Sequence, residues 1–404
     1  MLFRYRTLCA SAVSTILPVL ALAEPAMAQT AGDAGRRLRI SPQVQVAHDS
    51  NVLRLPDNVP ALNGRRSDLI VTPQVALDIN LPTGRTTGFL SGVIGYDFHR
   101  NNKQFDRERI ALNGGAVTRV STCDLTTSLG YTRQQSDPAD IFFRDGGRIS
   151  QRNTETRVSP FVSIGCGRTS GVTSLLSYQG ERVTNSAEQR LFGNYRASTF
   201  SARVGLARPT LGEIGLYSSY RRAEYDNRFL FNQADVVDVY SAGVRVERQL
   251  GQIRGSASLG YTRVDSRLSD DFSGLSYDLA LSSRVGARLR SAIGFSRSVE
   301  QSNILGVSYS ISDRYSGRLD YALSPRLRVF ADAVRLERRF DRPALGFLGG
   351  RALDDKTDNV TLGASVSAAR RIGVDVGATL LRRRSDEPLF NYNARRLFVT
   401  LRYN

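Results

Sequence analysis

Hydrophobic and polar residues alternate with a period of two along most of the chain from Leu38 onward. In segment 253–262, Ile253, Ala257, Leu259 and Tyr261 fall on one face, whereas the intervening positions are mostly arginine, serine, glycine and threonine. Successive side chains of a β-strand point to opposite faces of a sheet. The pattern therefore predicts amphipathic strands, about 18 in number within a range of roughly 16–20, for a barrel of this type.

The predicted connections are alternately short and long. Short turns are expected near residues 82–84, 123–124, 166–168, 209–212, 251–252, 286–287, 324–326 and 371–372. Longer polar segments lie between them, for example at 49–66, 137–152, 184–194 and 340–356. Outer-membrane barrels have short periplasmic turns and long external loops. The sequence thus predicts an all-β fold, a transmembrane antiparallel up-and-down β-barrel with both termini in the periplasm. Segment 300–312 is compatible with either a loop or a further hairpin.

Alternation alone does not separate this barrel from a soluble sandwich. The polar face, however, is rich in arginine, serine, threonine and glycine, which suit a water-filled lumen. Tyr131, Tyr178, Tyr220 and Tyr261 lie on the apolar face near strand ends, as in an interfacial aromatic girdle. Mean hydropathy is −0.26, and beyond the first residues the chain lacks the apolar runs of about 20 residues that membrane helices need. These features favour the membrane barrel.

The N-terminus resembles an export signal. Arg4 and Arg6 precede an apolar stretch from Leu8 to Ala23, and residues 26–28 form an Ala-Met-Ala cleavage site. We predict a signal peptide at 1–28 cleaved after Ala28, a short periplasmic segment at 29–37, and the barrel at 38–404. The alternative is an uncleaved N-terminal helix. Export of a barrel implies the outer membrane of a Gram-negative cell.

Arginines on the polar face are the main candidates for function, and the formal net charge of the chain is +17. Arginine carries a permanent charge and a planar fork that suits carboxylates and phosphates. One interpretation is a pore that favours anionic solutes, including acidic polysaccharide. The other is a structural set of cross-strand ion pairs with acids on the same face. The tentative lumen-lining arginines are Arg203, Arg221, Arg245, Arg254, Arg284, Arg318 and Arg328.

The inward aromatic residues Tyr217, Phe161 and Phe330 would suit sugar stacking. Cys9 lies in the signal segment, which leaves Cys123 and Cys166 in two of the short turns. Those turns are expected about 10 Å apart, two strand spacings, and an exported protein favours a disulfide over two free thiols.

Catalytic and metal chemistry find little support. His48 and His99 are the two histidines, both near outer strand ends, without a nucleophile motif. The acidic segment 354–358 lacks the glycine and glutamate of an EF-hand and is expected to be a solvated loop. We predict no enzyme activity, no catalytic residues, no cofactor and no metal. A rim hydrolase built on a histidine is the least favoured alternative.

One segment carries a family resemblance. Residues 49–57, DSNVLRLPD, follow the first strand and resemble the opening of EpsL-type β-barrel porins, and the turn LSPRL at 323–327 is similar to turns of that family. The resemblance implies an association with exopolysaccharide biosynthesis operons. It brings no established catalytic residues.

Two functional hypotheses follow. The first is a porin-like conduit or accessory protein linked to exopolysaccharide export. The second is a structural or adhesive barrel with an occluded lumen, whose outer loops bind partners. Expected partners are outer-membrane lipid and lipopolysaccharide, the barrel assembly machinery, and acidic polysaccharide or small anions. Nucleic acid is not expected, because no recognition motif is present and the compartment is wrong.

Overall fold

The computed structural model describes residues 35–57, 59–61, 65–136, 153–167, 170–230, 233–302, 307–340 and 353–403. Eighteen antiparallel strands form one sheet, in which each strand pairs with its neighbours in sequence. The first strand also pairs with the last, from Gln43–Arg402 to Asp49–Arg396, and this pairing closes the barrel. Closure removes the unpaired edges that an open sheet would expose. The predicted fold class is confirmed.

The strands are β1 (Arg37–Asp49), β2 (Asp68–Thr83), β3 (Thr86–His99), β4 (Arg107–Val120), β5 (Cys123–Gln135), β6 (Thr154–Cys166), β7 (Gly171–Asn185), β8 (Tyr195–Arg208), β9 (Gly212–Leu230), β10 (Gln233–Leu250), β11 (Ile253–Ser266), β12 (Phe272–Val285), β13 (Leu289–Gln301), β14 (Tyr309–Ala322), β15 (Leu327–Phe340), β16 (Leu353–Ser367), β17 (Ile372–Ser385) and β18 (Tyr392–Tyr403). Short 3-10 helices occupy Lys103–Phe105, Glu188–Gly193 and Pro388–Phe390. Within the described ranges, no helix has the length and apolar character needed to cross a membrane.

The short connections all fall at one end of the barrel, within a few residues of the positions that the sequence predicts. The turn predicted at 123–124, for example, comes just before Cys123, which begins β5. The long connections fall at the other end, which is therefore the outer end. Segment 300–312 contains the end of β13 and the start of β14, and residues 303–306 between them lie outside the described residues. The barrel begins at Arg37 instead of Leu38. The predicted signal peptide and cleavage site lie outside the described residues.

The two faces of the sheet differ in exposure as a membrane barrel requires. Leu216, Leu259 and Leu397 on the outer face are 66%, 58% and 60% exposed. Inward-facing Thr262 and Thr400 are 5% and 1% exposed. A continuous apolar surface of this kind would promote aggregation in water, whereas in a membrane it is covered by lipid.

Aromatic residues form a row on the outer face. The strand register places Tyr178 beside Phe200, Phe200 beside Tyr220, and Tyr220 beside Tyr240. The ring centroids are 4.9 Å apart for Tyr178–Phe200 and 5.0 Å for Tyr220–Tyr240. Tyrosine rings sit favourably at the level of lipid headgroups, so this row marks the outer boundary of the apolar band.

The cysteines lie closer together than the turn spacing suggests. Cys123 begins β5 and Cys166 ends β6, and the two residues are direct register partners. Their Cα atoms are 4.0 Å apart and a disulfide joins them. The expected separation of two strand spacings was wrong, because β5 and β6 are neighbouring strands whose periplasmic ends meet.

A second correction concerns residues 354–358. They belong to β16 and are not a loop. Asp354, Lys356 and Asp358 face outward, whereas Asp355 and Thr357 face inward and are buried. Cross-strand pairing with β15 and β17 keeps this polar run extended beyond the membrane.

Candidate functional site in the lumen

All seven arginines proposed from the sequence occupy lumen-facing strand positions, because they alternate with the exposed apolar residues of the outer face. Five of the seven have a carboxylate partner, and these ion pairs are Arg203–Glu213 at 3.6 Å, Arg221–Glu181 at 2.7 Å, Arg245–Glu247 at 3.9 Å, Arg318–Asp320 at 2.7 Å and Arg328–Asp320 at 3.8 Å. Arg203, Arg221 and Arg328 pair with acids on other strands, as the structural interpretation expects. Arg318 also has a cross-strand partner, Asp332, at 3.3 Å. The Arg245–Glu247 and Arg318–Asp320 pairs lie within single strands.

The most buried of these pairings centres on Glu181, whose side chain is 1% exposed. Arg157 and Arg221 both contact its carboxylate, and Tyr195 Oη donates to it at 3.2 Å. Arg221 also donates to Gln301 Oε1 at 2.7 Å. Two cations around one buried carboxylate tie β6, β7, β8, β9 and β13 together near the outer end. This network has a structural role that the alternation of faces along a single strand does not predict.

The remaining two arginines belong to a different environment. Arg254 and Arg284 lie at the periplasmic ends of β11 and β12, and inward-facing Arg290 lies at the start of β13. All three are exposed, and among the described residues none has a carboxylate within 4.0 Å. Arg284 and Arg290 are direct register partners. We call these three residues the periplasmic arginine rim. Like charges that face each other across strands are destabilising, so a stabilising role in the fold does not explain why these arginines lie together.

The acid nearest in register to this rim is already engaged. Asp320 lies opposite Arg290, but its carboxylate contacts Arg318 at 2.7 Å and Arg328 at 3.8 Å. The rim thus keeps three permanent positive charges at the periplasmic entrance to the lumen. A wide opening with fixed charges of one sign raises the local concentration of oppositely charged solutes.

Aromatic rings line the lumen wall where glycines make room for them. A methyl group added at Gly260 would lie 2.3 Å from Tyr217 Oη, and one at Gly363 would lie 2.5 Å from Phe330 Cζ. The same arrangement joins Phe398 and Gly377. These rings therefore lie against the backbone of the neighbouring strands. Tyr217 and Phe330 were predicted to face inward, and the structure places them there.

Inward side chains at the outer ends of β7–β11 and β14 are buried, in contrast to the exposed arginines of the periplasmic rim. Ala223, Val237 and Val264 on inward positions are 0% exposed, and Tyr225 and Tyr309 are 1% exposed. The buried members of this cluster are Val183, Tyr195, Ala197, Ala223, Tyr225, Val237, Val239, Val264 and Tyr309. Tyr225 Oη donates to the carbonyl oxygens of Ser302 and Ser308 at 3.1 and 2.7 Å, so these two residues, which flank the connection between β13 and β14, lie on the lumen side of β9.

Arg228 holds this packing together. It is 4% exposed and donates to the carbonyl oxygens of Phe192, Ser302 and Val307 at 2.6, 2.5 and 2.7 Å. Its guanidinium lies 3.8 Å from the centroid of the Tyr225 ring, and Asp235 is its ion-pair partner at 3.5 Å. One side chain therefore joins two inward-folded connections to the wall.

The direction of Arg228 depends on an irregularity in pairing. The register between β9 and β10 shifts between Ala234 and Val236. A bulge changes which face the following side chains occupy, so inward positions are odd-numbered up to Tyr225 and then include Arg228. Sequence reasoning missed Arg228 because strict alternation assigns it to the outer face.

The segment that carries the family resemblance forms a second cluster. Asn51 donates to the carbonyl oxygens of Leu55 and Asn393 at 2.8 and 3.0 Å, and it accepts a bond from Leu55 N at 3.0 Å. Arg54 pairs with Asp49 at 3.0 Å. Val52, Leu53 and Leu55 pack on Ile70 and Phe105. The DSNVLRLPD segment is thus a structural loop that covers part of the outer opening.

A third cluster completes the packing at the outer end. Val307, Phe340 and Phe390 are buried together, and the guanidinium of Arg383 lies 4.9 Å from the Phe390 ring centroid. The second and third clusters combine strand ends with residues from the long connections, whereas the first consists of strand residues. The outer end of the lumen wall is therefore packed by apolar contacts together with buried ion pairs, and the exposed arginine rim lies at the periplasmic end.

The two histidines do not form a common site. His48 faces outward on β1, and His99 faces inward on β3 with its Nδ1 3.4 Å from Asp106 Oδ1. Asp97, which lies on the same strand as His99, accepts a hydrogen bond from Thr72 Oγ1 at 2.6 Å and pairs with Arg109 at 3.5 Å. In the part of the chain that the structure covers, no group of three potential metal ligands is assembled.

A closed antiparallel barrel with an apolar outer band and a charged lumen defines the class of outer-membrane β-barrel proteins. The chain belongs to the family described as "Putative beta-barrel porin 2", whose sequence model matches residues 183–404, more than half of its length. No curated protein sequence matches the chain.

Solved barrels resemble this one in fold. OccK2 (OpdF) of Pseudomonas aeruginosa, crystallised with glucuronate, is 13% identical with a TM-score of 0.47, covering 92% of this chain and 98% of its own. OccAB3 of Acinetobacter baumannii is 11% identical with a TM-score of 0.46, covering 91% and 99%. The FrpB iron transporter of Neisseria meningitidis is 10% identical with a TM-score of 0.46, covering 88% and 63%. Similarity at this level of sequence identity indicates a shared fold and nothing further.

Proposed function

We propose that this porin-family barrel is a conduit for anionic solutes that enter from the periplasm, and that it serves exopolysaccharide export. The observation that carries the proposal is the periplasmic arginine rim of Arg254, Arg284 and Arg290, which have no carboxylate partners among the described residues. Fixed positive charge at an entrance favours anions. The link to exopolysaccharide comes from the resemblance of residues 49–57 and from aromatic rings along the lumen wall.

Ion selectivity in planar bilayers tests the conduit. The wild-type barrel in a salt gradient is expected to show a reversal potential of the sign that anion preference gives. The R254Q/R284Q/R290Q variant should lose about half or more of that preference, because it removes the uncompensated charges. The matched control is R182Q/R196Q/R222Q, which removes three arginines from the outer face. Equal selectivity in wild type and rim variant would contradict the proposal.

The exopolysaccharide role needs a separate experiment in cells. Deletion of the gene should lower the amount of secreted acidic polymer, and the wild-type gene should restore it. Complementation by the rim variant should be weaker than by the outer-face control. Normal secretion after deletion would remove the exopolysaccharide role and leave anion conduction untouched.

A second candidate function is supported by the packed outer half of the lumen. A barrel whose outer opening stays closed would act as a structural or adhesive scaffold through its external loops. Two results would favour this scaffold. Bilayers that contain the folded wild-type barrel would show no ion conduction, and conduction would appear after the outer packing is weakened by mutation. We further infer a non-catalytic role, supported by the separation of His48 and His99 onto opposite faces of the wall.

A further inference from the structure

The outer face carries an uneven distribution of charge just beyond the apolar band. On β16, β17 and β18 the band ends at Val360, Leu380 and Leu397, which are 36%, 53% and 60% exposed. The next outward-facing positions toward the outer end are polar on all three strands. In the outer membrane this is the level of the headgroups of the outer leaflet.

Four basic side chains occupy this level on neighbouring strands. Lys356 lies on β16, Arg382 and Arg384 lie on β17, and Arg395 lies on β18. All four are exposed, and none has an ion-pair partner within 4.0 Å among the described residues. We call these four residues the basic arc.

The register concentrates the charge of the basic arc. Lys356 and Arg384 face each other directly, and Arg382 lies opposite Asn393. Like charges on facing strands destabilise a sheet by themselves. The arrangement becomes favourable when an anion lies between the cations.

Two acids on the outward face of β16, next to the basic arc, are already engaged with other arginines. Asp358 faces Arg382 in the register, but its carboxylate lies 3.9 Å from Arg335. Asp354 pairs with Arg339 at 3.6 Å.

On the opposite side of the barrel, outward-facing Arg222 and Arg263 pair with Asp238 at 3.8 Å and Asp265 at 2.7 Å, and Arg196 pairs with Asp226 at 3.4 Å. Arg182, which faces Arg196 in the register, has no carboxylate within 4.0 Å among the described residues. That side therefore carries one uncompensated arginine where the basic arc carries four basic side chains.

We propose that the basic arc binds the phosphate groups of a phosphorylated glycolipid of the outer leaflet, with lipid A as the representative ligand. The acyl chains of the glycolipid would lie on Val360, Leu380 and Leu397, and its phosphates would lie between the four cations. Charge complementarity and the position directly beyond the apolar band support this ligand over a soluble anion, which needs no apolar surface. The proposal is independent of conduction through the lumen.

Native mass spectrometry of the full-length barrel in detergent tests the proposal. The probes are bisphosphorylated lipid A, dephosphorylated lipid A, phosphatidylglycerol and a soluble acidic polysaccharide. The variant K356Q/R382Q/R384Q/R395Q removes the basic arc. The control R182Q/R196Q/R222Q/R263Q removes the same number of charges from β7, β8, β9 and β11. Resistance of the folded band to unheated gel electrophoresis shows that each variant has folded.

The wild type and the control are expected to retain bisphosphorylated lipid A, and the basic-arc variant should bind it at least about tenfold more weakly, because each basic residue contributes to headgroup attraction. Dephosphorylated lipid A and phosphatidylglycerol should bind the wild type more weakly than lipid A. Equal binding of lipid A by the wild type and the basic-arc variant would overturn the proposal. Equal binding of dephosphorylated lipid or phosphatidylglycerol would do the same. Stronger binding of the soluble polysaccharide would assign the arc to a polymer instead.

Discussion

Single residues in this barrel are stabilised by partners on other strands more than by their neighbours in sequence. Asp355 is the clearest case, since its side chain is 0% exposed and accepts hydrogen bonds from Arg383 Nε and Nη2 at 2.9 Å each. Arg338 donates to the same carboxylate at 2.5 Å. The three charges lie on β15, β16 and β17 and hold the outer ends of these strands together.

Replacing Asp355 with alanine should therefore be costly. It leaves two guanidiniums without their shared carboxylate, and breaking a buried pair costs about 3–5 kcal/mol of unfolding free energy. Urea-dependent loss of the folded band on unheated gels measures the change. Glu337→Ala is the control, because the Glu337–Arg335 pair faces outward and is partly exposed, and it should cost about 1 kcal/mol or less. Similar costs for both variants would contradict this prediction.

The cysteine pair gives a second prediction at this scale. Cys123 and Cys166 are direct register partners at the periplasmic ends of their strands, in an oxidising compartment. Protein isolated from the outer membrane should contain no alkylatable thiol at these positions until it is reduced. Mass spectrometry after alkylation, with and without reductant, makes the measurement, and labelled thiols in the unreduced sample would be incompatible with the bond.

At the scale of elements, the connections decide how much of the lumen stays open. The strands supply a wall, and residues of the connections at the outer end pack onto its inner side through Arg228, Tyr225 and two apolar clusters. A barrel wall does not by itself require inward packing of the connections, since connections can also extend into water. The apolar residues in the connections provide the driving force, because burial removes them from water.

Arg228→Met tests the role of the connections. The substitution keeps an apolar stem but removes the bonds to Phe192, Ser302 and Val307, so the outer packing should loosen and single-channel conductance should rise by about twofold or more as the constriction widens. Arg222→Met, on the same strand but on the outer face, should leave conductance unchanged. Unchanged conductance in folded Arg228→Met barrels would show that the constriction lies elsewhere.

At the scale of the whole molecule, the barrel is inverted relative to a soluble protein. Its apolar side chains form the outer surface, and its ion pairs lie within. The closing pair of β1 and β18 makes this inversion complete, because it leaves no unpaired strand edge in the lipid.

A pair of adjacent residues tests the inversion. Leu259 faces outward near the middle of β11 and Ser258 faces the lumen. Leu259→Arg should lower the unfolding free energy in lipid by about 2–4 kcal/mol, the cost of a charge on the lipid face near the midplane. Ser258→Arg should change it far less, because its side chain enters water near Asp278, its register partner. Refolding titrations in lipid vesicles give both values, and the reverse order would place water on the outer face.

Much of the fold follows from local pattern. Alternation assigns each face, turn chemistry separates the strands, and the difference between short and long connections gives orientation. These rules work because the backbone of each strand in a barrel pairs only with its two neighbours. They placed all eight short turns and gave inward positions to the seven proposed arginines. They failed at residues 354–358, where acidic composition suggested a loop and cross-strand ion pairs produced a strand.

The sequence by itself determined the class of the protein, the number of strands to within about two and the direction of most side chains, because these depend on a period of two. Only the tertiary structure decided which arginines are neutralised by acids and which remain uncompensated at the periplasmic rim. It also decided the inward direction of Arg228, which depends on a register shift between β9 and β10. The physical reason is that ion pairs and bulges depend on the register between strands. The sequence of one strand does not specify how its partner strand aligns with it.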